Sequence, residues 1–94
     1  MRVRYTLRAQ TDLDVIFSYL DTRAPGSALE VKATIERRIA MLGEFPHIAP
    51  ETDIAGVYEL TIVRYAYKVY FDIDGDSVEI LHIRHASRRP WTGE

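Results

Sequence analysis

The chain has 94 residues, 47% of them hydrophobic and 28% charged, with 12 basic against 14 acidic side chains and a formal net charge of −2. That length suits one domain, residues 1–94, built on a single small core. The slight acidity argues against a general nucleic-acid coating protein, and the lack of cysteine excludes disulfides and thiolate metal sites.

Met1-Arg2-Val3-Arg4-Tyr5 has no apolar stretch of the signal-peptide kind. No apolar run approaches the ~20 residues that a membrane-spanning helix needs. The expectation is a soluble, cytoplasmic protein without a membrane partner. Val3, Tyr5 and Leu7 alternate with Arg2, Arg4 and Thr6, which predicts a short strand with one apolar face. Leu13, Ile16, Phe17 and Leu20 follow at helical spacing, with Ala9 one turn earlier, and predict an amphipathic helix over 8–22. Arg23-Ala24-Pro25-Gly26 breaks it, because proline cannot continue a helix interior.

Ser27 and Glu30 have the spacing of a capping box, and Ala28, Val31, Ile35, Ile39 and Leu42 line one face of a second helix. Gly43 is a natural residue to end it, with Pro46 shortly beyond. A connection of about four residues predicts an antiparallel helical hairpin. After a loop over 44–56 come three strands, beginning near Val57, Tyr67 and Val78, with Asp74-Gly75 as the hairpin signal between the last two. The expected fold is α+β, in the order β-α-α-β-β-β, with the helical hairpin on one face of a mainly antiparallel four-stranded sheet.

The last strand runs into a cationic end. From His82 to Trp91 there is no acidic residue, while Arg84, His85, Arg88 and Arg89 are gathered there. Such a cluster on an acidic chain points to local recognition of an anionic macromolecular surface. His47, His82 and His85 are scattered without acids at ligand spacing, so no metal site and no cofactor are expected. His82 and His85 alternate to opposite strand faces. Tryptophan so near the end of the sequence packs on the body or into a partner.

The chain resembles the RelE/ParE superfamily of toxins from bacterial type II toxin–antitoxin modules. The residues that carry the resemblance are Ala9-x-x-x-Leu13-x-x-Ile16-x-x-Tyr19-Leu20, Leu42-Gly43-Glu44-Phe45-Pro46, Tyr58-Glu59-Leu60, Arg64-Tyr65-Ala66-Tyr67-Lys68-Val69-Tyr70, and Ile80-Leu81-His82-Ile83-Arg84-His85 with Arg88-Arg89-x-Trp91. The resemblance implies a cognate antitoxin as partner and one of two targets. RelE-like relatives are metal-free ribonucleases that cut mRNA on the ribosome, and on that branch Arg64, Lys68, Arg84 and His85 are the catalytic candidates. ParE-like relatives poison DNA gyrase, and on that branch Arg84, His85, Arg88, Arg89 and Trp91 are the target-binding candidates. The segment after His85 holds no tyrosine, only Lys32 and Lys68 are lysines, and the chain is acidic. These features favour the ParE-like branch over the RelE-like alternative.

Overall fold

The structure, a computed structural model, describes residues 1–94. Its elements are β1 (Arg2–Tyr5), α1 (Leu7–Arg23), α2 (Pro25–Met41), β2 (Tyr58–Ile62), β3 (Tyr67–Asp74) and β4 (Ser77–His85). The strands form one sheet in the order β1-β4-β3-β2. β1 runs parallel to β4, and the other two pairings are antiparallel. The expected α+β architecture is therefore present as a mixed sheet carrying two helices. No helix is long and apolar enough to cross a membrane.

The buried stripe of α2, Val31, Ile35 and Ile39, continued by Leu42 just past its end, packs with Ala9 and Leu13 of α1. Together they meet Leu60, Ile62, Val69, Phe71, Val78, Ile80 and Ile83 from the facing side of the sheet. The period-3.6 and period-2 patterns thus close on one another in a single apolar layer, which is what removes their surface from water.

Four local expectations are corrected. Leu7 does not belong to the first strand: it opens α1 and stands 79% exposed. Thr6 intervenes, its hydroxyl accepting from the Ala9 amide at 3.2 Å while donating to the Ile80 carbonyl at 2.7 Å. One side chain thus caps the helix and ties it to β4. The helices are joined by Ala24 alone, which ends α1 and begins α2. Consequently Ser27 lies inside the first turn of α2 and donates to the Ala24 carbonyl at 3.2 Å, and no capping box forms. Pro25 makes this economical, since a proline at the helix start has the right φ and lacks an amide that would go unpaired. Gly43 is not a left-handed cap; its role is close approach. A Cβ there would lie 2.7 Å from the Met1 carbonyl oxygen, and the Met1 ammonium donates to the Gly43 carbonyl at 2.7 Å.

Two irregularities shape the β3–β4 hairpin. Gly75 takes φ +62 in the two-residue turn between Asp74 and Ser77, as the hairpin signal required. In β4, Tyr70 faces His82 but Phe71 faces Ile80, so Leu81 is an extra residue, a β-bulge. The bulge coincides with the end of β1, whose last partner is Ile80. Beyond it one edge of β4 has no strand beside it.

Candidate functional site

That free edge looks across to α1. The space between them is an open cleft of about 770 Å³, with Ile16, Leu20, Val31 and Ile83 in its apolar part. Tyr19, Tyr65 and Tyr67 bring rings to it. Arg84, His85, Arg88 and Arg89 stand around its mouth. An apolar floor beneath cations can seat a polypeptide or another macromolecular surface with acidic groups at its rim.

Asp12 of α1 closes the edge where β1 stops. Its Oδ2 accepts from the Ile83 amide at 3.0 Å and meets His82 Nδ1 at 2.6 Å. A carboxylate therefore stands in for the missing strand partner and orients the His82 ring. Arg8 lies one turn away, its Nε 4.0 Å from the same oxygen. No third His, Asp or Glu joins Asp12 and His82 in a metal-holding group.

The bulge decides which side chain faces where. Without Leu81, unbroken alternation from Val78 and Ile80 would send His82 and Arg84 to the helix side. With it, Ile83 and His85 take that side, opposite Val69 and Tyr67. His82 and Arg84 turn to the outer face, opposite Tyr70 and Lys68. His85 packs edge-on against Tyr67, with centroids 5.2 Å apart. Its Nδ1 lies 2.7 Å from Ser87 Oγ and accepts from the Ser87 amide at 3.1 Å. With Nδ1 engaged at Ser87, Nε2 is the ring nitrogen left for the surroundings.

On the outer face Lys68 is enclosed by its neighbours on β2, 3.3 Å from Glu59 and 3.0 Å from Thr61 Oγ1. Arg84 donates from Nε to the Tyr70 hydroxyl at 2.9 Å. Burial pushes the Tyr70 phenol above its usual range, Arg84's hydrogen bond opposes this, and Glu59 adds to it. Tyr70 is buried, with His82 stacked on it at 5.9 Å and Trp91 at 5.1 Å between rings, and Trp91 also lies 5.3 Å from His82. The Arg8 guanidinium stands 6.0 Å over the Trp91 ring, and the Trp91 indole N–H donates to the Glu94 carbonyl at 3.2 Å. The segment after β4 thus folds back onto the sheet.

Of the four catalytic candidates, Arg84 and Lys68 are cross-strand partners on the outer face, and His85 is on the other side. Arg64 sits in the turn between β2 and β3, pairs with Glu30 of α2 at 3.0 Å and lies 5.1 Å over Tyr65. All four lie at the same end of the sheet, but Arg84 and Lys68 are on one face and His85 is on the other. The target-binding candidates are closer together: Arg84, His85, Arg88 and Arg89 border the cleft, while Trp91 packs behind Arg84 on Tyr70. Sequence reasoning missed Asp12 and Tyr19. Asp12 carries no signal beyond being a polar residue beside Leu13 in a helical pattern. Tyr19 lay in the quoted helical pattern, but only the position of α1 brings it to β4.

Comparison with known proteins adds to this geometry. The family model described as ParE toxin of type II toxin-antitoxin system, parDE, matches residues 3–90. The Sinorhizobium fredii protein named "Putative toxin Y4kP" is 34% identical over 88 residues, covering 94% of this chain and 91% of that protein. Among solved structures, the chromosomal ParDE system from P. aeruginosa superposes with a TM-score of 0.84 at 26% identity, over 93% of this chain and 97% of that one. The isolated E. coli RelE toxin shares the fold, with a TM-score of 0.67 at 15% identity over 94% and 86% of the two chains.

Proposed function

This chain belongs to the ParE toxin family of type II toxin–antitoxin systems, and from that premise we propose that it arrests bacterial growth by binding and poisoning DNA gyrase. The reading takes residues 1–94 as one toxin domain acting in the cytoplasm without a cofactor. A cognate antitoxin neutralises it in a heteromeric complex, as the P. aeruginosa relative is part of a ParDE system.

One observation carries the choice of mechanism. Metal-free RNA cleavage needs a base, a cation for the phosphorane and an acid around one phosphate. Here Lys68 is engaged by Glu59 and Thr61 on the outer face. His85 lies on the opposite face with Nδ1 committed to Ser87. What this leaves toward the cleft is a binding surface: guanidinium groups over an apolar floor, suited to docking on a protein.

A supercoiling assay with purified chain and gyrase tests the proposal. Inhibition at micromolar concentration, relieved by the antitoxin, is expected. Unaffected gyrase together with new truncation products in toeprinting of translating ribosomes would replace it with the ribonuclease reading.

A further inference from the structure

We infer that Arg84 is a positioning residue: its guanidinium holds the segment from Ala86 to Trp91 as a preformed arm that presents Arg88 and Arg89 at the cleft mouth. The inference rests on the proposed target-binding role of that arm, and it moves Arg84 from a direct contact to the group that shapes the contact.

The geometry is specific. Arg84 Nη1 lies 3.2 Å from the His85 carbonyl oxygen, 3.2 Å from that of Ala86 and 3.1 Å from that of Arg88. Three carbonyl dipoles turned toward one point repel one another unless a cation sits among them. Nε of the same group is spent on the Tyr70 hydroxyl. The arm is also tied at its root, where the Ala86 amide donates to the Ala66 carbonyl at 2.6 Å and the Arg88 amide to the His85 carbonyl at 3.0 Å. Trp91 closes the far end against Tyr70 and His82.

The two flanking arginines differ from Arg84 in kind. Arg88 and Arg89 are exposed, and neither forms an ion pair within the chain. Arg84, by contrast, commits Nε to Tyr70 and Nη1 to the carbonyls of the arm. Holding the arm in one shape beforehand lowers the ordering cost of binding. Arginine suits the central position because Nε holds the Tyr70 hydroxyl while Nη1 sits among the three carbonyls, whereas the single nitrogen of lysine cannot occupy both places.

The chain's single tryptophan is Trp91, so its fluorescence reports the arm directly. Arg84→Lys and Arg84→Ala are expected to make Trp91 more accessible to acrylamide quenching. Both should weaken gyrase inhibition about ten-fold, the scale of one lost charge-assisted contact. Arg88→Ala with Arg89→Ala should weaken inhibition while leaving quenching as it was. Adding Arg84→Lys to that pair should cost no further inhibition. Tyr70→Phe, which removes only the hydroxyl that receives Nε, should raise quenching in the same direction and by less; with far-ultraviolet circular dichroism as the folding control, it carries the test if an Arg84 variant does not fold. The inference is overturned if Arg84→Lys leaves quenching unchanged, or if its loss of inhibition adds in full to that of the Arg88, Arg89 pair. Failure of the unaltered chain to inhibit gyrase would sink the functional reading alone, since the quenching series still decides what Arg84 does to the arm.

Discussion

Ala66 is the one non-glycine residue with positive φ, at 57°. Its left-handed backbone lets the turn over 63–66 return to β3 and offers its carbonyl to Ala86. An L-residue in that conformation costs about 1–2 kcal/mol, and glycine does not bear that cost. Ala66→Gly should therefore raise stability by about 0.5 kcal/mol after glycine's larger unfolded-state entropy is subtracted, read from urea unfolding. Asp72 makes the opposite kind of local demand. Burial raises its carboxyl pKa, and Glu79 and Asp74 raise it further. Its Oδ1 has no hydrogen-bond partner. An unfolded aspartate ionises near pH 3.9. Between that pH and the higher folded value the folded chain binds the extra proton, so this contribution is present at low pH and is lost as pH rises. Asp72→Asn should raise the unfolding free energy at neutral pH by less than about 1 kcal/mol, since Asp72 is only partly buried and solvent screens part of its charge. The gain should vanish below pH 3.9.

At the scale of elements, the junction of β1, α1 and β4 matters most. β1 supports β4 only as far as Ile80, and Asp12 takes over from there. Asp12→Ala removes the acceptor of both the Ile83 amide and His82 Nδ1. The expected cost is about 2 kcal/mol, with faster hydrogen exchange at the Ile83 amide. Asp12→Asn keeps an acceptor oxygen for the amide and should cost less. The same junction explains why periodicity predicted the helices better than the strand surfaces. The stripe from Ala28 to Leu42 was legible because every member is buried, and Val31, Ile35, Ile39 and Leu42 share one apolar core. The faces of β4 were not, because the bulge at Leu81 depends on where β1 stops and on a carboxylate from α1, neither of which is local to the strand.

For the whole molecule, the distribution of charge outweighs its sum. The net charge is −2, yet Arg88 and Arg89 stand unpaired beside the cleft while Lys68 and Arg64 are matched by Glu59 and Glu30. On the gyrase reading, Lys68→Ala should leave growth arrest intact on induced expression. Arg88→Ala with Arg89→Ala should weaken gyrase inhibition about ten-fold and flatten its dependence on salt, since exposed charges are screened beyond about 8 Å at physiological ionic strength. Loss of growth arrest on Lys68→Ala would instead favour ribosomal cleavage.

The order of elements, the apolar faces of both helices and the cationic run after His82 were determined by the sequence alone, because each is a matter of spacing between neighbours along the chain. Which of those cations share a face was decided only by the tertiary structure. One unpaired residue in β4 inverts the alternation beyond it, and the contact that accompanies it, Asp12 to Ile83, joins positions 71 residues apart. Spacing along a strand carries no record of such a partner, so the cleft and its arm exist only once α1 is docked against the sheet.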